Sequence, residues 1–221
     1  MSFHGFPPEA VTFYEQLEAD NTKAFWTAHR STYEAAVKGP MLALTEELHD
    51  EFGPFHVFRP HRDVRFSRDR TPYKTHTGAV SEREGGALYY VQISAHGLMA
   101  ASGYYDMASD QLARFREAVA DEQRGSAVEA IAASLERAGY ELGAISEVKT
   151  APRGFPKDHP RIVLLRRKGL IASRRWPATA WLHTKKAKTK VVETWRGCDE
   201  LNDWLDAHVG PSTLPPDDGR R

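Results

Sequence analysis

The sequence predicts an α+β fold, a single domain in which an antiparallel sheet packs with N-terminal, central and C-terminal helices. Helical and strand patterns come in separate blocks rather than in strict alternation, which favours this class over parallel α/β folds. Residues 87–107 have the pattern of two strands joined by a hairpin at His96 and Gly97. Because no segment has the composition of a linker, we expect one domain over residues 1–210 and a disordered tail over residues 211–221.

Three helices are predicted between residues 7 and 53. The second begins at Asn21 or Thr22, either of which suits an N-cap, and ends at Gly39. The third begins at Pro40, since proline is tolerated in a first helical turn, and stops at Gly53. The residues at helical spacing are Ala10, Phe13, Tyr14 and Leu17 in the first helix, Phe25, His29, Tyr33 and Val37 in the second, and Met41, Leu44, Leu48 and Phe52 in the third.

The pattern then changes to that of strands. "FHVFR" (55–59) and "DVRFS" (63–67) alternate, and a strand period of two turns Val64 and Phe66 inward. Further along, the patterns predict helices over 109–120 and 125–140, a strand near 141–150 and a proline-rich loop over 151–160. A short helix over 162–167, a strand over 170–176 and a last helix over 198–210 complete the prediction.

Several classes of protein find no support in the sequence. No apolar run is long enough to cross a bilayer, so we expect no membrane partner, and the first residues lack the pattern of a secretory signal. With Cys198 as the single cysteine, neither a disulfide framework nor a cysteine-based zinc site is expected. These features favour a cytoplasmic protein. Phosphate-loop, dinucleotide, nucleophile-elbow and zinc-protease motifs are also missing, and no metal or cofactor is indicated.

Charge is unevenly distributed although the net charge is zero. Residues 59–76 carry six Lys and Arg against two Asp, and residues 152–190 carry twelve against one. If the two basic windows meet in the fold, the surface is strongly dipolar. The alternative is that each window is a separate solvated face.

The first window contains "RDVRFSRDRTPYKT" (62–75), in which guanidinium groups, a hydroxyl and a Pro-Tyr-Lys turn follow one another closely. Guanidinium groups bind phosphate and carboxylate in a bidentate manner, so the pattern predicts an anion site. Its ligand would be a phosphorylated small molecule or a nucleic-acid phosphate. The predicted ligand-binding residues are Arg62, Arg65, Ser67, Arg70, Tyr73 and Lys74.

Two alternatives remain open for this motif. Asp63 and Asp69 lie among the cations and would hold the arginine side chains, so the whole motif could be an ion-pair network that pins a loop. Asp69 also suits a bond to its own backbone across the next turn. A nucleic-acid-binding module is the other alternative, because "HTKKAKTKVVETW" (183–195) joins lysines to Trp195, with Trp181 close by.

Candidate catalytic groups are few, and the sequence does not establish an enzyme. They are Asp63, Asp69 and His159. Asp158 is a possible N-cap of the short helix, and His159 beside it has an ordinary pKa near 6.5, which suits acid/base chemistry but also a plain backbone contact. Cys198 lies at the start of the last helix, where it is either a reactive thiol or a buried one.

The motif resembles the signature of a widespread family of uncharacterised proteins, defined as a domain of unknown function. The family shows R-D-x-R-F-S-[KR]-D-[KR]-[ST]-P-Y-K-T or a close variant. The similarity extends from "FHGFPPEAVTFYEQLEADNTKAFW" to about Leu205 and includes "SGYYDMASDQLARFREAV" and "PRGFPKDHPRIVLLRRKGL". Arg68 and Arg70 stand where the family often has Lys, which conserves charge. The resemblance implies family membership and brings no established activity with it.

Overall fold

The computed structural model describes residues 2–63, 69–82 and 86–215 and confirms the α+β class. In these residues six strands form an antiparallel sheet in the order β1-β2-β3-β4-β6-β5. The strands are β1 Phe55–Val57, β2 His76–Ser81, β3 Leu88–Ser94, β4 Gly97–Tyr104, β5 Glu141–Gly143 and β6 Leu170–Trp176. The β1–β2 register pairs Phe55 with Ser81, and the β2–β3 register pairs His76 with Ser94.

Helices precede, interrupt and follow the strands. They are α1 Pro8–Ala19, α2 Lys23–Thr32, α3 Gly39–Phe52, α4 Ser109–Ala120, α5 Glu122–Arg137, α6 Ile162–Leu165, α7 Lys186–Arg196 and α8 Asp199–His208, with a π-helical turn at Tyr33–Lys38 and a 3-10 turn at Ala180–His183. None of the helices in the described residues is both long enough and apolar enough to span a membrane. The predicted bounds of α4 and β6 are confirmed.

The predicted break between the second and third helices is wrong. Gly39 keeps helical torsion angles, φ −57° and ψ −53°, and the chain stays helical from α2 into α3. The connection is a π-helical turn, in which the Gly39 N–H donates to the Glu34 carbonyl five residues earlier. Pro40 has no N–H to donate and lies in the first turn of α3. The π turn therefore accommodates the missing N–H of Pro40 in the hydrogen-bond pattern, and the helix does not end there.

Other sequence predictions need correction. The sequence did not predict strand β2. In the expected strand over 63–67, Asp63 is not part of a strand. Residues 64–68, which include Val64 and Phe66, lie outside the described residues. The predicted strand near 141–150 is only three residues long. The basic run 183–195 contains helix α7, because Ala187, Val191 and Trp195 recur at helical spacing and are fully buried beneath the lysines.

The chain forms two compact units. The first comprises residues 1–82, 89–100 and 175–194. Its core contains aromatic residues of α1, α2 and the π-helical turn, in which Phe13 contacts the rings of Tyr14, Trp26 and Tyr33. The Thr77 hydroxyl is buried and bonds to Tyr14 Oη at 2.7 Å and Tyr33 Oη at 3.2 Å, which satisfies three interior hydroxyls.

The N-terminal segment of the first unit is fixed in place. Phe3 and Phe6 are buried, and the Phe6 N–H donates to the Leu182 carbonyl at 3.0 Å. Glu47 on α3 accepts from the Phe3 N–H at 2.7 Å and from Lys188 Nζ at 2.7 Å. These bonds lower the pKa of Glu47 to about 2, with the Lys188 hydrogen bond the largest cause. This carboxylate is therefore ionised at neutral pH.

The second unit comprises residues 83–88, 101–174 and 195–221. Its apolar core joins the inner faces of α4, α5, α6 and α8 to Tyr104 and Leu170 of the sheet. Arg161 lies in this unit with only 5% of its side chain exposed, and its guanidinium bonds to Glu129 at 2.7 Å and Glu122 at 3.1 Å. Ser212 and Thr213, in the segment predicted to be a tail, bond to Asp110. The single-domain organisation over residues 1–210 and the disordered tail remain predictions.

The glycine at the β3–β4 turn generates the first prediction. Gly97 has φ +103°, and a Cβ there would lie 2.2 Å from the Trp176 carbonyl oxygen. Gly154 has a similar φ of +90° but nothing within 4 Å of the Cβ position. We expect Gly154→Ala to cost about 1–2 kcal/mol, the usual cost of that backbone conformation. Gly97→Ala should cost clearly more in a urea melt, and equal costs would show that the close approach to Trp176 is absent.

Candidate anion-binding site

The basic motif belongs to the connection between β1 and β2, which runs over residues 58–75. The described ends of this connection pair with each other like a hairpin: Arg62 N–H donates to the Pro72 carbonyl at 2.9 Å, and Lys74 N–H donates to the Pro60 carbonyl at 2.8 Å. His61 and Tyr73 form an antiparallel bridge between them. The backbone therefore brings the two ends of the motif side by side.

Tyr73 anchors this connection to the helices of the first unit. Its ring is only 5% exposed and stacks on Trp26 with a centroid separation of 4.3 Å and an interplanar angle of 10°. Its backbone is held by Asn21, whose Oδ1 accepts from Tyr73 N–H at 3.1 Å and whose Nδ2 donates to the Tyr73 carbonyl at 3.0 Å. Tyr73 was predicted to contact the ligand. Because its ring is buried against Trp26, it holds the connection in place, and its contact with a ligand stays a prediction.

Arg62 is partly committed to an intramolecular contact. Its Nη1 makes an ion pair with Asp69, as the ion-pair alternative predicted. Asp69 also accepts from the Thr71 N–H at 3.0 Å and from its hydroxyl at 2.7 Å, which confirms the predicted bond across the turn. The Thr71 bonds first, and the Arg62 charge last, lower the pKa of Asp69. An exposed carboxylate with a lowered pKa is a poor general acid near neutral pH.

Lys74 is in a different electrostatic situation. Burial lowers the pKa of its ammonium, and the charges of Arg59 and Arg62 lower it further. Its Nζ lies 5.1 Å from the centre of the Phe58 ring, and no carboxylate of the described residues forms an ion pair with it. His76, at the start of β2, shares this field: burial, then Lys74 and Arg62, lower its pKa. We call Arg59, Arg62, Lys74 and His76 the cationic surface.

The other predicted ligand-binding residues are only partly covered by the structure. Arg65 and Ser67 lie outside the described residues, so their role stays a prediction. Asp63, which precedes residues 64–68, and Arg70, which follows Asp69, are both exposed. Sequence reasoning missed Arg59 and His76, which lie at the ends of the basic window, and it missed Asn21 and Trp26, whose contacts with Tyr73 span about fifty residues of chain. A search for an amide and an aromatic residue ahead of the motif would not have been specific enough to find them.

His159 belongs to the second unit, whereas the motif belongs to the first. Its Nδ1 accepts from the Arg161 N–H at 3.0 Å, and its carbonyl accepts from the Ile162 N–H at 3.0 Å. These are local contacts at the start of α6, as expected for a histidine with a backbone role. The predicted N-cap at Asp158 is wrong, because Arg161 holds that position and its side chain caps nothing.

Two further candidate chemistries find no support in the described residues. Cys198 is fully buried, and burial raises the pKa of its thiol to about 12, so it is the buried thiol of the two alternatives. Within residues 2–63, 69–82 and 86–215, no group of three or more His, Cys, Asp or Glu side chains could hold a metal ion.

Three of the twelve basic residues of the second basic window pair with acids in the described residues. Arg161 pairs with Glu122 and Glu129 of α5, and Lys188 pairs with Glu47 of α3. Arg167 lies 3.5 Å from a carboxylate oxygen of Glu147. The acids come from distant parts of the sequence, so a charge count within the window overstates the surface charge. That the two windows share one concavity stays a prediction.

Comparison with known families adds one observation to this geometry. The chain matches the family described as conserved hypothetical protein (DUF2461) over residues 9–204. The chain belongs to this family. The match extends from α1 into α8 and so includes all of the described β1–β2 connection. The description names no activity or ligand, and no match is found among curated proteins.

The Asn21 clamp generates a prediction about stability. Asn21→Ala removes both hydrogen bonds to Tyr73 and leaves its backbone groups without their partner. We expect a loss of about 1–3 kcal/mol in the free energy of unfolding, measured by urea denaturation. Asp20→Ala, an exposed neighbour, is the control and should change stability by less than about 0.5 kcal/mol. If the two variants had equal stability, the clamp would have no energetic role.

His76 generates a prediction about pH. Its pKa is lowered from the ordinary 6.5, so the unfolded chain takes up this proton at a higher pH than the folded protein does. The stability that His76 contributes is therefore present above pH 6.5 and is lost as the pH falls below it. We expect His76→Gln to lose less stability than the natural protein between pH 7.5 and 5.0. His96→Gln, at an exposed turn position, should follow the natural protein. Parallel curves for all three would contradict the assignment.

Proposed function

We propose that the cationic surface binds a phosphate-type anion, carried by a phosphorylated small molecule. The observation that supports this most strongly is Lys74: a half-buried ammonium that lies among positive neighbours and has no carboxylate partner in the described residues. Charges of one sign in a partly desolvated place repel each other, and the repulsion costs stability. An anion between them would remove this cost.

The two arginines of this surface differ in their capacity for a ligand. Arg62 contributes mainly its charge, because its Nη1 is used by Asp69 and its Nε is buried. Arg59 is exposed and is close enough to Lys74 to lower its pKa. Guanidinium and ammonium groups in this combination suit phosphate, because the first binds two oxygens at once and the second acts as a point charge.

The predicted residues Arg65 and Ser67 would complete the same surface. They follow Arg62 and Asp63 in the chain, and the paired ends of the connection place Lys74 beside Pro60. Asp63 and Asp69 are the acidic residues within the motif, and so the acids closest in sequence to the proposed phosphate-binding residues. Because the pKa of Asp69 is lowered, its part in this proposal is to hold Arg62. Binding is therefore the proposed activity, and a chemical step on the ligand is not included in it.

The proposal is tested by the unfolding midpoint with and without phosphate in Lys74→Met, which keeps an unbranched side chain and removes the charge. Lys23→Met, at an exposed position of α2, is the matched control. Millimolar inorganic phosphate should raise the unfolding midpoint of the natural protein and the control, as ligand linkage requires. In Lys74→Met the rise should largely disappear, because a hydrogen bond to a charged group is worth about 1.5–3 kcal/mol.

A second readout separates the site from a nonspecific salt effect. Without phosphate and at low salt, Lys74→Met should be slightly more stable than the natural protein, by less than about 1 kcal/mol, since water screens a half-exposed charge. Phosphate should also raise the pKa of His76, followed by NMR of its imidazole protons. If phosphate shifts neither the midpoint nor this pKa, the surface does not bind phosphate and the ion-pair alternative is favoured. Binding of single-stranded oligonucleotides that strengthens with their length would favour the nucleic-acid alternative.

A further inference from the structure

A concave surface lies in the first unit, away from the motif in sequence. It is a pocket of about 600 Å³. The residues that line it are His4, Ala180, Trp181, His183, Thr184, Lys185 and Lys186. The N-terminal segment, the 3-10 turn and the start of α7 thus contribute together.

The walls of this pocket are held by close contacts of the backbone. A Cβ on Gly5 would lie 2.3 Å from the carbonyl carbon of His183, so only glycine lets the N-terminal segment approach so closely. The Phe6 N–H donates to the Leu182 carbonyl at 3.0 Å. The pocket is therefore formed by the fold itself, before any ligand binds.

Trp181 supplies an oriented aromatic surface. Its indole ring is half-buried and meets Trp176 edge to face, with an interplanar angle of 81° and centroids 6.1 Å apart. The Lys190 ammonium lies 5.1 Å from the Trp181 centroid and 5.7 Å from the Trp176 centroid. These contacts fix the ring, so a flat ligand would stack on it with little loss of conformational freedom.

Lys185 and Lys186 supply positive charge at the same pocket. Both side chains are exposed, and no carboxylate of the described residues forms an ion pair with either. Their neighbour Lys188 differs, because it is paired with Glu47 at 2.7 Å. The uncompensated charge thus lies on the two lysines that line the pocket.

His183 adds a group with a defined tautomer. Its Nδ1 lies 2.7 Å from the Phe6 carbonyl oxygen, which can only accept a hydrogen bond, so Nδ1 carries the proton. In the neutral ring Nε2 is then an acceptor, and it has no partner in the described residues. A donor on a ligand, such as a ring amino group, matches this atom.

We propose that this pocket binds a small aromatic anion, with its flat ring against Trp181 and its negative group at Lys185 and Lys186. The negative group is a phosphate or a carboxylate. The proposal is independent of the cationic surface, because none of its residues belongs to that surface. A mononucleotide and an aromatic carboxylate represent the two possible sources of the charge.

Calorimetric titration with adenosine monophosphate, adenosine and indole-3-carboxylate at low salt tests the proposal. At least one of the two anions should bind, and if it is the nucleotide, adenosine should bind about tenfold more weakly or not at all. Trp181→Leu should weaken binding of that anion about tenfold or more. Trp181→Phe, which keeps a flat ring, should retain most of the affinity of the natural protein. Lys185→Gln with Lys186→Gln should weaken binding about tenfold as well. Thermal melts check that each variant is folded.

Two control variants separate this pocket from other sites. Lys149→Gln with Lys157→Gln removes the same charge elsewhere and should leave the affinity within about twofold. Lys74→Met should also leave it within about twofold, so a failure at the cationic surface is distinguishable from a failure here. Absence of binding by both anions at millimolar concentration would overturn the proposal. Binding that is unchanged by Trp181→Leu, or that is lost in Lys74→Met, would overturn it too.

Discussion

The attachment of Tyr73 to Asn21 and Trp26 is the interaction on which the geometry of the candidate site depends. Residues 58–75 connect two neighbouring strands, and holding a connection of this length in one conformation costs conformational entropy, which contacts with the rest of the protein have to offset. Two hydrogen bonds contribute about 1 kcal/mol each, and an aromatic stack contributes a similar amount beyond its buried area. Together they tie the described end of this connection at Tyr73 to α2 and to Asn21, which precedes it. The aromatic core of the first unit is thus the support of its polar surface.

Compensation of charge, rather than the amount of charge, distinguishes the basic residues of this protein. Arg161 is nearly buried and has two carboxylate partners, so removal of both acids would leave a costly buried charge. Lys74 is less buried, yet none of the described carboxylates neutralises it. The first arrangement holds α5 and the start of α6 together. The second arrangement, at Lys74, lowers the stability of the protein when no ligand is bound. It is the arrangement expected where a ligand supplies the missing negative charge.

Local patterns predicted most of the elements, because their signals lie within a dozen residues. Helices α1, α4 and α8 have regular apolar faces, and β6 is bounded by clear turn residues. The errors have physical causes. Helix α7 was missed because its three buried residues lie among lysines in the sequence. Gly39-Pro40 has the pattern of a helix end, but the chain continues there as a π turn. At the site, the Arg62–Asp69 contact was predictable because the two residues are seven positions apart in the sequence. The Asn21–Tyr73 clamp joins segments 52 residues apart, and no local pattern reports such a pair.

The π turn at Tyr33–Lys38 has a consequence for how this helix tolerates changes in length. Each residue of an α-helix advances about 100° around the axis, whereas a π turn holds one residue more within a turn, so the helix beyond it keeps its face although the sequence is one residue longer. Tyr33 and Val37 before Gly39, and Met41 and Leu44 after it, are all buried. Loss of one residue between Tyr33 and Lys38 would therefore restore a regular α-helix and leave the buried side of α3 toward the core. In a regular helix such as α4 the same loss would turn every following residue by about 100°, so the π turn is the place where this helix tolerates a change in length.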